Sequence, residues 1–132
     1  MWKEISLTTN SRSEFVNVTA EIKAEVARAG IKNGVCNIFV PHTTAGITIN
    51  ENTDPNVTRD LIQTLERLVP RTGDYRHSEG NSDAHLKASM VGFSCSIPII
   101  NSQLSLGTWQ GIYFCEFDGP RNRKLKVGVQ VG

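Results

Sequence analysis

Between Lys3 and Thr8 the chain alternates Ile5 and Leu7 with polar residues, the pattern of a half-buried strand. Ser11-Arg-Ser-Glu14 has the spacing of a capping box, and Phe15, Val18, Ile22 and Val26 follow at helical intervals. With Arg28 near the end and Gly30 as the stop, this predicts an amphipathic helix over 11–28. Its polar face carries no evident chemistry, so its task is to cover a sheet. Asn33-Gly34 reads as a turn. Val35 to Val40 is almost unbroken by polar residues and predicts a strand buried on both faces. Ile47-Thr-Ile-Asn50 alternates again. Asp54 before Pro55 starts a second helix, with Val57, Leu61, Leu65 and Leu68 at helical spacing and Pro70 and Gly73 as its end.

From Thr72 to Asp83 the chain is polar, and Ser82 or Asp83 can cap a third, short helix that contains Leu86 and Met90 and closes at Gly92. Phe93 to Ile100 predicts a strand that tolerates Pro98 at an edge or bend. Asn101-Ser-Gln is a turn. Leu104 to Gly111 is a short strand entering a glycine-flanked loop, Ile112 to Phe117 is a strand, and Asp118-Gly-Pro120 is a turn. Arg121 to Val131 closes the chain with Leu125, Val127, Val129 and Val131 on alternate positions. Six or seven strands, three helices and hairpin-like links predict an α+β fold: a largely antiparallel sheet with three covering helices.

The length of 132 residues fits a single domain spanning 1–132. Hydrophobic content of 39% and charged content of 20% place the chain among soluble globular domains. The formal net charge of +1 gives no reason to expect nucleic acid or an anionic membrane as partner. No apolar run approaches the roughly 20 residues that span a bilayer. The start, Met1-Trp-Lys-Glu-Ile, opens a strand rather than a signal peptide, so a cytoplasmic location is expected. Cys36, Cys95 and Cys115 are far apart in apolar runs and read as free thiols.

The stretch His77-Ser-Glu-Gly-Asn-Ser-Asp-Ala-His85 holds two of the three histidines, with almost nothing apolar between them. His42 follows the Val35–Val40 strand. Three imidazoles beside small polar residues suit a metal site with an open position, although the spacing matches no helical or zinc-finger pattern. The plainer reading is a surface loop whose histidines only make hydrogen bonds. Glu51 has no structural duty and is a candidate for proton transfer, whereas Asp54 suits an N-cap. Asp83 joins Glu51 as a catalytic candidate; it could orient a histidine ring, or merely cap the third helix. Thr43, Asn81 and Ser82 join the candidates for binding an anion, the last two at a helix N-terminus. Arg121 and Arg123, two apart on a strand, would point the same way and could grip an anion; a solvated face is the alternative. Trp109, between Thr108 and Gln110, would stack on a ligand or pack at a subunit interface.

Four words resemble the YjbQ-like family, whose members are often labelled secondary thiamine-phosphate synthases. They are His42-Thr-Thr-Ala-Gly-Ile with Asn50-Glu-Asn-x-Asp-Pro55; His77-x-Glu-Gly-Asn-Ser-Asp-Ala-His-Leu-Lys87; Leu106-Gly-Thr-Trp-Gln110; and Glu116-Phe-Asp-Gly-Pro-Arg-x-Arg123. The resemblance implies a small α+β subunit, usually a homotrimer, with clustered histidines in a polar pocket near a subunit boundary. It implies a weak, secondary activity that joins a hydroxymethylpyrimidine diphosphate to a thiazole phosphate. Asn101-Ser-Gln103 departs from the glycine–arginine turn of that family. The combined expectation is a transferase acting on a small phosphorylated metabolite. His42, His77 and His85 would hold a divalent metal, with zinc favoured by imidazole ligands over magnesium or manganese. A non-enzymatic trimer that binds a metal or metabolite is the alternative.

Overall fold

The computed structural model describes residues 1–132. The elements run β1 (Trp2–Thr8), β2 (Glu14–Asn17), α1 (Thr19–Ala29), β3 (Gly34–Phe39), β4 (Ala45–Glu51), α2 (Pro55–Leu68), α3 (Ser82–Val91), β5 (Ser94–Ile100), β6 (Gln103–Leu104), β7 (Gln110–Glu116) and β8 (Asn122–Val131). Every strand pairing is antiparallel. The α+β expectation holds, but the strands divide into two sheets, ordered β1-β8-β3-β5-β6 and β2-β7-β4.

The two sheets share one core. Cys36 and Ile38 of β3, Ile97 and Ile99 of β5 and Leu125 and Val127 of β8 meet Ala45 and Ile47 of β4 and Ile112 and Phe114 of β7. Ile22 and Val26 of α1, with Val18 just before it, close this core. A second cluster lies on the opposite face of β7, where Tyr113, Cys115 and the following Phe117 pack on Ala84 and Ala88 of α3. The closeness of α3 depends on Gly46, because a Cβ there would lie 2.6 Å from the Gly92 carbonyl oxygen. No helix is long and apolar enough to cross a membrane, and all three cysteines are free thiols.

Two expectations need correction. The helix predicted over 11–28 begins only at Thr19, and Glu14–Asn17 is strand β2. β7 has an open edge that residues 14–17 fill, from Glu14 opposite Glu116 to Asn17 opposite Tyr113. The capping-box bond does form: the Glu14 carboxylate accepts from the Ser11 amide at 3.4 Å and from the Asn10 amide. It closes a turn into a strand instead of a helix. β3 is also not buried on both faces, since Phe39 is 43% exposed. The second helix is as predicted, with the Asp54 carboxylate accepting the Asn56 amide at 2.9 Å and Pro55 in the first turn.

Ile22 is fully buried in α1 while Lys23 is exposed. Ile22→Ala should cost about 2–5 kcal/mol and Lys23→Ala within about 0.5 kcal/mol, measured as urea unfolding midpoints. Equal losses would mean that the buried face of α1 is misassigned.

Candidate functional site

The polar stretch before α3 bends at Gly80, whose φ of 78° is in the left-handed region that glycine adopts freely. The bend folds the loop back on the helix it precedes. His77 and the α3 residue His85 thereby come together, ring centroids 5.3 Å apart and planes at 85°. His77 is half exposed, and its Nε2 lies 3.6 Å from a Glu79 carboxylate oxygen. These two imidazoles belong to neither hydrophobic cluster. They form a small polar site at the opening turn of α3, of the kind that can offer ring N–H groups to an anion or ring nitrogens to a cation.

His42 does not join them in a metal-ligating group, because no set of three or more His, Cys, Asp and Glu side chains in the chain is placed to hold a metal ion. The expected convergence of the three histidines within one chain is therefore corrected. The physical cause lies at the end of β3. Pairing of β3 with β8 stops at Phe39 opposite Lys126. Two residues further along β8, the His42 ring engages the Lys124 backbone, with Nε2 2.9 Å from the amide nitrogen and 3.1 Å from the carbonyl oxygen. Nε2 accepts from the first or donates to the second according to tautomer. Burial, with the Arg123 charge adding to it, lowers the His42 pKa below its ordinary 6.5, which favours the neutral ring. His42 also stands edge-on to Phe114 at 6.4 Å.

The paired-arginine grip is corrected as well. Arg123 is only 3% exposed and points into the protein. Its Nε donates to Glu116 Oε1 at 2.8 Å, and its Nη2 donates to Glu116 Oε2 and to Thr44 Oγ1, the latter at 2.8 Å. Glu116 further accepts from Thr9 Oγ1 at 2.7 Å and from the amides of Phe117 and Asp118 at 3.1 and 3.0 Å. Burial opposes its charge, but these bonds outweigh it and hold the Glu116 pKa below the ordinary value. Arg121, in the turn before β8, is half exposed and paired with Asp118 at 3.2 Å.

A second buried network anchors α3. Asp83 is fully buried and accepts from Arg12 Nη1 and Nη2 at 3.1 and 3.0 Å and from Lys87 Nζ at 2.8 Å. Lys87, also fully buried, reaches Glu66 of α2 at 3.1 Å, and Glu66 accepts from the Ser13 hydroxyl at 2.8 Å. Asp83 thus caps nothing; it is tied up by two cations. Asn81 flanks the helix and donates to Asp118 at 2.8 Å. Ser82 opens the helix and has no side-chain hydrogen bond among these contacts. Thr43 is exposed beside His42, and Trp109 is 60% exposed. The Glu51 carboxylate makes no hydrogen bond, while the Glu51 carbonyl accepts from Tyr113 Oη at 3.1 Å.

Arg12 and Glu66 were not picked out from sequence, and Lys87 and Glu116 entered only as parts of the family words, with no role assigned. The available signals were Glu116 within the apolar run Ile112–Phe117 and Asp83 one helical turn before Lys87.

Burial raises the Asp83 pKa, but the Arg12 and Lys87 hydrogen bonds and charges more than offset it and hold it at about 2, against an ordinary 3.8. A depressed carboxylate pKa stabilises the fold fully above the unfolded value, and the contribution fades as pH falls from about 4 through 2. The gap corresponds to about 2 kcal/mol. Denaturant midpoints of the wild type should fall across that window, and those of Asp83→Asn should lack this part of the fall. Parallel curves for the two proteins would contradict the assignment.

Comparison with known proteins agrees with this architecture. The model of the UPF0047 protein YjbQ-like family matches residues 3–131. A UPF0047 protein of Methanocaldococcus jannaschii is 50% identical over 93% of this chain and 89% of its own length. YugU of Bacillus subtilis, another UPF0047 protein, is 48% identical over 96% and 97%. A crystal structure of an uncharacterized YjbQ/UPF0047 protein from Clostridium acetobutylicum superposes with a TM-score of 0.96 at 53% identity, covering 97% of this chain and 99% of that one. A protein of unknown function from Sulfolobus solfataricus does so with a TM-score of 0.96 at 32% identity, covering 100% and 97%. On both sequence and fold, the chain belongs to the YjbQ-like UPF0047 family.

Proposed function

We propose that the chain is an enzyme acting on a phosphorylated small molecule, a transferase of the thiamine-phosphate synthase type, and that His77 and His85 hold the substrate's phosphate groups. The observation that supports this is the imidazole pair, with rings 5.3 Å apart at the opening turn of a helix and outside the hydrophobic core. In the proposed reaction a carbon–oxygen bond between the pyrimidine methylene and diphosphate breaks, and its electrons leave with pyrophosphate. The thiazole nitrogen forms the new bond to that carbon. The main demand on the protein is stabilisation of the leaving anion. Imidazole N–H groups and the positive end of α3 suit that demand. Arg121 would contribute if its contact with Asp118 opens, and Glu51 stays the candidate for proton transfer.

A divalent cation would take His77 and His85 from this chain. The chain supplies no third such ligand, so a complete three-histidine centre does not fit it. Remaining ligands would have to come from phosphate oxygens or from another copy; imidazoles favour zinc, and phosphate oxygens suit magnesium or manganese. We further propose a homotrimer, with the exposed Trp109 near a subunit boundary.

Calorimetric titration with pyrophosphate, and separately with zinc, tests the site. His77→Ala and His85→Ala should each weaken binding by about tenfold or more, while His42→Ala keeps wild-type affinity, with circular dichroism confirming the fold. Wild-type affinity in both the His77 and the His85 variant would end the proposal. Thiamine phosphate formed from the two precursors separates the readings: binding without turnover favours the non-enzymatic binding protein. Light scattering at micromolar concentration should give a trimer mass, and a monomer mass would contradict the assembly.

A further inference from the structure

We propose that Arg12 is a positioning residue for the imidazole pair: acting through Asp83, it fixes the rotation of α3 about its axis and so turns His85 toward His77. The inference rests on the reading of that pair as the site.

The helix is rotated against its own hydrophobicity. Leu86 and Met90 are 46% and 58% exposed, whereas Asp83 and Lys87 are fully buried. Apolar burial alone would turn Leu86 and Met90 inward. Ala84 and Ala88 are too small to specify a rotation strongly, although they let the helix lie close to β4. What holds the observed rotation is polar. Asp83 and Lys87, one turn apart, face inward together and bond each other at 2.8 Å. Residues two apart on a helix point roughly 200° apart. With Asp83 inward, His85 is directed outward to the loop that carries His77.

A carboxylate is not buried without partners, and the fork of hydrogen bonds on Asp83 comes from Arg12, in the distant segment between β1 and β2. That segment is itself fixed: the Arg12 carbonyl accepts the Gly119 amide at 3.0 Å, and the Thr9 amide donates to the Arg121 carbonyl at 3.0 Å. The arginine is therefore a fixed post to which the first turn of α3 is fastened. Buried ion pairs that set a register at a cost in stability have precedent, and hydrophobic replacements often keep or raise stability.

The test replaces the network with apolar residues, as Arg12→Met/Asp83→Leu/Lys87→Met. The readout is the nuclear Overhauser contact between ring protons of His77 and His85, followed without ligand. The wild type should show the contact. The triple variant should stay helical by circular dichroism, with a melting temperature near or above that of the wild type, and should lose the contact. Persistence of the contact would overturn the inference. Should the triple variant not fold, Arg12→Met alone decides by the same signal, and Arg12→Lys, which keeps the charge but not the fork, should restore the contact only in part. A pyrophosphate titration of wild-type imidazole shifts separates the two claims. No shift on titration would sink the functional reading and leave the rotation claim to the ring contact.

Discussion

The carboxylate of Asp83, fully buried between a guanidinium and an ammonium, is the constraint on which the site depends. A charge in that position relies on both cations. Removing one partner of such a pair costs about 3–5 kcal/mol, because the remaining charge is left uncompensated. A second buried carboxylate, Glu116, plays a matching part at the seam between the two sheets. Arg123 reaches it from β8, Thr9 from the end of β1, and the Arg123 fork continues to Thr44 before β4. Each carboxylate collects segments that are remote in sequence. Between them they fix the loops that surround the start of α3.

This arrangement separates tasks within a small domain. The aliphatic core between the sheets supplies the burial that drives folding. It leaves the orientation of the short helix α3 underdetermined, and the buried charges settle it. α2 is held differently. Its apolar residues Val57, Leu61 and Leu65 are only half-buried and Leu68 is 66% exposed, so its polar tie through Glu66 to Lys87 and Ser13 carries more of its attachment than is usual for an amphipathic helix.

Much of the fold was legible in the sequence, and the failures share a cause. Asp54-Pro55 announced a helix start because the cap and the proline act within one turn of chain. The closing strand was legible because Leu125 and Val127 alternate on a strand whose inner face is buried. Residues 14–17 were misread because the open edge of β7, which recruits them, is about a hundred residues away. The burial of Asp83 and Lys87 in place of Leu86 and Met90 was not legible, because the partners that draw Asp83 and Lys87 inward, Arg12 and Glu66, come from other elements. In the candidate site, the nearness of His77 and His85 followed from the short polar loop and Gly80. The fate of His42 did not, since it depends on where β3 stops pairing and leaves a Lys124 amide to be satisfied.

The central claim is that the imidazole pair at the opening turn of α3, and not the neighbourhood of His42, receives the phosphate of a ligand. The most direct measurement is a crystal structure of the wild-type protein soaked with pyrophosphate and zinc. The account predicts density within hydrogen-bonding or ligating distance of both His77 and His85. Density confined to the surroundings of His42 and Lys124, with the His77–His85 pair bare, would contradict it.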